Sequence, residues 1–346
     1  MTINCRACGK KKNKFIYTTK KLPEYIWPST NEKILKSSCK VSICKKCGHI
    51  QLQKFSKKKI ASFYGSKTFV INNSKEMLRR KQKILKTFGK GFLNKKTLEI
   101  GGGTNPFFQN FKKEHFILDS RIEKKIKKKF KKNAIESPFE NFKDKDFDLF
   151  IMLHTFEHFQ NPSEILRKIN KISKINSNVL VEVPNFINYV KKKPYYSIFH
   201  QHLSMFTLET LKNIFHINGF KLKKVLDNQE NIFACFYKSS KKKSIRNYYI
   251  KNTTLIKLLK KKLKKISIYL NKNLPKKKFN IISAGGSSTL LLHNFPFLIK
   301  KIKYALDVDK RKKNSKLPLT QIKIISKKKD NKLKFINLFS IVNKAI

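Results

Sequence analysis

Leu98-Glu99-Ile100-Gly101-Gly102-Gly103-Thr104-Asn105 decides how this chain is read. Residues 97–100 have the short, apolar character of a buried strand, and three glycines follow it as a turn without side chains. Such a turn lets a ligand approach the backbone where a Cβ would block it. In open α/β sheets, ligands lie beyond the carboxyl ends of the strands. A dinucleotide fingerprint needs glycine where Pro106 stands, which counts against NAD. Pro106 instead suits the first turn of the next helix. Asp119 ends the following strand, 116–119, where a carboxylate can hold ribose hydroxyls. An acidic residue before the glycines, three small residues and a later carboxylate fit S-adenosylmethionine (SAM). The cofactor-binding set is therefore Glu99, Gly101, Gly102, Gly103 and Asp119, with His154 at the same edge. A tight strand-to-helix turn without a ligand is the plain alternative.

Upstream, residues 74–90 read as a helix with Met77, Leu78, Ile84, Leu85 and Phe88 on one side, ended by Gly89 and Gly91. Downstream, strands and helices alternate: a lysine-rich helix after Asp119, a strand at 147–153, a helix from Asn161-Pro162 to Ile175, and a strand at 179–183. Such alternation implies a parallel sheet with helices on both faces. Thr207 is a candidate N-cap for a helix ending at Gly219, and 220–226 with 232–237 reads as an antiparallel pair at the sheet edge. Residues 239–244 form a polar, basic linker. Beyond it 255–270 is helical and an α/β pattern restarts: strand 279–283, a Gly285-Gly286 turn, helix 288–299, and strands at 304–307, 322–325 and 335–339.

The first 60 residues read as short and irregular, with too little apolar material for their own core. They carry Cys5-Arg6-Ala7-Cys8-Gly9 and Cys44-Lys45-Lys46-Cys47-Gly48. Four thiolates in two C-x-x-C pairs are the tetrahedral set that a closed structural zinc site uses. Reduced or disulfide-bonded thiols are the alternative. Cys39 has poor spacing for a ligand, and Cys235 reads as an ordinary strand residue.

Two histidine-bearing stretches fall at the expected ligand edge. The first, Leu153-His154-Thr155-Phe156-Glu157-His158, puts two imidazoles and a carboxylate in five residues after a strand. The second, Phe199-His200-Gln201-His202-Leu203-Ser204-Met205-Phe206, lies in a long connection after Val183-Pro184-Asn185, and long connections commonly serve a site. Proton transfer by His202 stands against ordinary hydrogen-bonded structure. Metal ligation by His200 and His202 lacks a local third ligand.

Of 80 basic residues only seven are arginine, in a chain of net charge +59. Nucleic-acid readers favour arginine for its bidentate fork. Lysine, asparagine, isoleucine and phenylalanine can all arise from A/T-rich codons. Solvated lysine faces and functional polyanion binding both remain open, and nucleic acid is the less expected partner. No apolar run reaches the ~18 residues of a membrane span. Paired thiols without a visible secretion signal lead to the expectation of a cytoplasmic protein. Oligomeric state is not legible.

These motifs in this order resemble the zinc-containing, SAM-dependent sugar C-methyltransferases, which act on nucleotide-linked deoxysugars. The resemblance spans nearly the whole chain. It implies an α/β protein: a class I SAM methyltransferase Rossmann-like domain (74–238), an N-terminal zinc-binding domain (1–60) and a C-terminal Rossmann-like lobe (245–346). Cys5, Cys8, Cys44 and Cys47 match the zinc pairs, and 98–103 looks like the SAM loop. His158 falls where the family has a catalytic histidine, and 199–206 is similar to the family's Tyr-His-Glu-His-Phe-Ser-Tyr-Phe. Phe199 replaces the tyrosine implicated in proton transfer, Gln201 replaces the glutamate, and His202 is kept. Tyr64 loosely matches a tyrosine from the N-terminal part. The turn Ala284-Gly285-Gly286-Ser287-Ser288 lacks the family's lysine. The expectation is methylation of a nucleotide-linked sugar, with His202 as base and His158 and Gln201 beside it. Sugar O-methylation, RNA methylation and a non-enzymatic binding role are the rivals.

Overall fold

A computed structural model describes residues 4–28, 34–53, 82, 84–103, 106, 107, 114–227, 230–239, 244–326 and 335–346. Tyr64, Thr104, Asn105 and most of the expected 74–90 helix lie outside the described residues; 84–88 are helical.

The N-terminal part is not irregular. Asn13–Pro23 (β1) and Lys36–Cys44 (β2) form a long antiparallel pair, extended by Ile50–Leu52 (β3). Aromatic and β-branched residues such as Phe15, Ile16, Tyr17, Val41 and Ile43 suit a pleated, half-buried surface. The fourth strand of this sheet comes from far along the chain: Ser204 and Met205 pair with Gln51 and Ile50. Leu22, Val41, Ile43 and Leu52 are buried against Phe186, Ile198, Phe199 and Met205, and against Leu255, Ile256 and Leu259. The core that this segment lacks is thus supplied by the rest of the chain.

The central sheet has seven strands in the order β10-β11-β8-β7-β4-β5-β6. Thr97–Ile100 (β4), His115–Asp119 (β5), Ala134–Glu136 (β6), Phe147–Leu153 (β7) and Ser173–Pro184 (β8) run parallel. Lys124–Phe130 (α1) joins β5 towards β6, and Pro162–Ile172 (α2) joins β7 to β8. α2 ends before Ile175, which is solvent-exposed within a longer β8 than the sequence suggests. After β8 come Phe186–Lys192 (α3), the short strand Ser204–Met205 (β9) and Leu208–Ile217 (α4), the last opened by a Thr207–Thr210 capping box. Phe220–Asp227 (β10) and Asn231–Lys238 (β11) are antiparallel, as expected. Only β10 is the edge, because β11 inserts between it and β8. Phe147, Phe150 and Met152 of β7 pack with Ile165, Leu166 and Ile169 of α2 and Phe215 of α4. Strand order reverses between β4 and β7, and such switch points open a crevice at the carboxyl edge.

A third sheet, all parallel in its strand pairs, closes the chain. Tyr249–Asn273 (α5) leads to Phe279–Ile282 (β12), Gly286–Asn294 (α6), Phe297–Lys301 (α7), Ile302–Leu306 (β13), Lys323–Ile325 (β14) and Phe335–Ile336 (β15). The expected helix 288–299 is two helices broken around Pro296. The expected strand 335–339 stops at Ile336, because Asn337 accepts the N–H groups of Phe339 and Ser340 and opens Leu338–Ala345 (α8). No helix among the described residues is long and apolar enough to cross a membrane.

Candidate active site

The ladder pairs Ile100 of β4 with Met152 of β7, so the glycine turn and His154 emerge side by side. Gly101 has φ 84°, and a Cβ there would lie 2.1 Å from Thr155 Oγ1. The turn and the 154–158 stretch therefore form one wall. A Cβ on Gly103 would lie 2.2 Å from the Arg121 carbonyl. Gly103 N–H donates to Asp119 Oδ2 at 3.0 Å, and Arg121 N–H to Oδ1 at 3.1 Å. Asp119 thus reaches the expected edge, with its carboxylate tied to the turn. Glu99 is buried; its Oε1 accepts Phe107 N–H at 2.7 Å and its Oε2 lies 3.1 Å from His115 Nε2. Its carboxylate braces the turn from within the fold.

His154 ends β7 in a left-handed conformation (φ 51°) that costs a non-glycine residue on the order of 1–2 kcal/mol. Its ring bridges two buried carboxylates: Nδ1 lies 3.5 Å from Glu157 Oε1 and Nε2 3.5 Å from Glu182 Oε1. Asn231 Nδ2 donates to Glu182 at 2.7 Å.

The structure brings His158 and His202 together from segments 44 positions apart in sequence, with ring centroids 5.1 Å apart. His158 Nδ1 donates to the Gln201 carbonyl at 2.7 Å, so Gln201 meets the cluster through its main chain. Phe199 packs on His202 at 4.1 Å between centroids, with Tyr196 behind it at 5.2 Å. Burial pushes the Tyr196 phenol up to about 12. His200 turns away: Nε2 lies 3.0 Å from the Ser37 carbonyl and Nδ1 3.5 Å from Cys39 Sγ, which ties this stretch to the N-terminal sheet.

Glu157, noted in sequence only as the carboxylate between the two imidazoles and given no role of its own, is the hub. It is 1 % exposed, and its Oε1 lies 3.8 Å from His158 Nε2 and 3.9 Å from His202 Nε2. Burial works to raise its carboxyl, but His158, His154 and His202 outweigh that and hold it at about 2. Burial pushes His202 down to about 3, against the upward pull of Glu157. The available signal was an acid beside His158 and three residues from His154. For Glu182 it was a charge inside the apolar run Val179-Leu180-Val181-Glu182-Val183.

Away from this cluster, Cys5 Sγ and Cys47 Sγ lie 3.6 Å apart, and Cys8 Sγ and Cys44 Sγ 3.7 Å. Those spacings are far beyond a ~2.05 Å disulfide. They match the edge of about 3.8 Å that a tetrahedron with ~2.3 Å zinc–sulfur bonds requires. All four sulfurs lie within 4.8 Å of one another, so the donor set fits zinc. Gly9 and Gly48, at φ 72° and 77°, turn the two knuckles. Arg6 links them to the site: its Nη1 donates to the Gln160 carbonyl at 2.6 Å, and burial lowers it to about 10.

Residues 73–225 match the protein family described as "Methyltransferase domain". This match, over part of the chain, indicates a SAM-dependent methyltransferase. The central sheet is consistent with the class I SAM methyltransferase fold. No curated protein matches the chain. Among solved structures it is similar to the pyocyanin biosynthetic protein PhzM (10 % identity, 42 % of this chain and 51 % of that one, TM-score 0.34). Another is the 1,6-didemethyltoxoflavin-N1-methyltransferase of Burkholderia thailandensis (11 %, 58 % and 96 %, TM-score 0.42). A third is the N-methyltransferase NodS of Bradyrhizobium japonicum WM9 (12 %, 46 % and 86 %, TM-score 0.35). The chain thus spans about half the length of PhzM.

Proposed function

We propose that this methyltransferase acts on a nucleotide-linked ketodeoxysugar, methylating carbon beside the ketone after His202 removes a proton. The observation that carries the reading is the His158–Glu157–His202 cluster beside the glycine turn. The backbone of 101–103, Asp119 and His154 would hold SAM, which supplies an electrophilic methyl group when bound. His202, kept neutral by burial, has a lone pair with which to accept the substrate proton at neutral pH. Glu157, 3.9 Å away, stabilises the imidazolium that forms. His158, oriented by the Gln201 carbonyl, assists as partner or as donor to the developing oxyanion. Phe199 walls the base on one side and excludes water. The sugar class is supported by the motif resemblance and by a basic field suited to a nucleotide diphosphate. Within the same reading, 1–60 form a zinc-binding domain, 74–238 the catalytic domain and 245–346 a Rossmann-like lobe.

Purified protein with labelled SAM and a panel of nucleotide 4-ketosugars tests this. The expected result is label on carbon, with His202→Ala losing at least about a hundredfold in turnover, the usual scale for a general base. Full turnover by His202→Ala overturns the assignment. Label on a hydroxyl oxygen favours O-methylation, which the same base could drive where position 199 lacks a phenol.

A further inference from the structure

Glu157 occupies the turn after β7 with both carboxylate oxygens buried and without a hydrogen bond among the described residues. Burying an ionised carboxylate is costly unless it is paired or bound to a metal. In a chain with 80 lysines and arginines, the ion-pair partners of Glu157 among the described residues are imidazoles: His154, His158 and His202. At 3.8 and 3.9 Å, His158 and His202 stand beyond hydrogen-bond reach of the carboxylate. The orientation of His158 sharpens the problem. Its Nδ1 faces a carbonyl at 2.7 Å and must donate, so in the neutral ring the Nε2 lone pair points at the Glu157 carboxylate. Two electron-rich atoms facing each other call for a cation between them, either a proton or a metal ion. A histidine that gives one N–H to a backbone carbonyl and aims the other nitrogen inward is the usual pattern of a metal ligand.

We propose that Glu157, His158 and His202 form a second metal site, for a divalent transition ion, chemically distinct from the four-thiolate site. The three donor atoms lie within 4.8 Å of one another. Bonds of about 2.0–2.2 Å span up to about 4.2 Å between two ligands, which accommodates both carboxylate–imidazole separations. Two imidazoles and one carboxylate suit zinc, iron(II), cobalt or nickel rather than magnesium or calcium. His158 is a quarter exposed, which leaves a route in from solvent. If His202 is the base, as the proposed function holds, metal on its Nε2 places the ring proton on Nδ1 and removes the acceptor. Occupancy then silences proton abstraction.

Untagged full-length protein, its thiolate site filled with zinc, is titrated with cobalt(II). The expected result is one further equivalent retained through gel filtration, with d–d absorption and no thiolate charge-transfer band. Glu157→Gln and His158→Gln, each checked for folding by circular dichroism, lose that equivalent. Wild-type protein that retains no second ion overturns the proposal and leaves a shared proton in the cluster. Two folded variants that keep the ion also overturn it. SAM titration by calorimetry on the same samples separates this failure from failure of the methyl-transfer reading, since cofactor binding does not require the second ion.

Discussion

Gly101 has no room for a side chain. Its φ of 84° and the 2.1 Å approach of a built Cβ to Thr155 Oγ1 act together. Gly101→Ala is expected to cost about 1–3 kcal/mol of stability and at least about a tenfold loss of SAM affinity. Urea denaturation and calorimetry check the two parts, and unchanged SAM binding would detach the turn from the cofactor. His293 shows a different constraint. It is buried, its Nε2 donates to the Pro318 carbonyl at 2.9 Å, and its Nδ1 has no hydrogen bond among the described residues. Burial, the largest influence on it, lowers its proton affinity despite that hydrogen bond. The unfolded chain therefore binds the proton more readily, so the stability is complete above the ordinary histidine value of about 6.5 and is lost as pH falls below it. Denaturation midpoints should fall between pH 7.5 and 5, and His293→Gln should flatten part of that slope. An unchanged slope in the variant would place the acid sensitivity elsewhere.

At the scale of elements, β3 and β9 join the N-terminal sheet to the chain that carries His202. Ser204 pairs with Gln51, and Ser204 Oγ also lies 3.2 Å from His49 Nε2, just beyond the second cysteine pair. Gly48 packs so closely that a Cβ would lie 2.5 Å from the Tyr248 backbone, which ties the same knuckle to the approach of α5. If zinc holds the four thiolates, chelation should loosen both partners of this pairing. Hydrogen exchange is expected to accelerate in 36–52 and in 203–206 together, while β4 and β7 stay protected. Acceleration confined to the first 52 residues would show that the sheet does not depend on the knuckle for its hold on the His202 segment. The third sheet repeats a local device of the second. Ala284 N–H donates to Asp307 Oδ2 at 3.0 Å, as Gly103 N–H does to Asp119. In the third sheet, however, the fully buried Lys312 ammonium also engages that carboxylate, at 2.8 Å.

For the whole molecule, the charge is the dominant fact. A net +59 on 346 residues opposes compaction by self-repulsion. Salt screens this, so raising sodium chloride from 50 to 500 mM should lift the melting temperature by roughly 2–4 °C, the equivalent of about 1 kcal/mol for a chain of this order. A flat or falling response would show that local pairing already offsets the repulsion. Local sequence alone determined much of the architecture: the strand ending at Ile100, the glycine turn, the strand running into His154, the Thr207 cap and the cysteine pairs. Each is legible because neighbouring residues impose it through periodicity, backbone freedom or donor spacing. Tertiary structure decided the rest. It gave a two-residue strand to a sheet begun more than 150 positions earlier, placed β11 inside the sheet, and gathered His154, His158 and His202 around Glu157. Those outcomes depend on burial shared between distant segments. A buried carboxylate takes its character from what surrounds it in space, and its surroundings are set only when the chain packs.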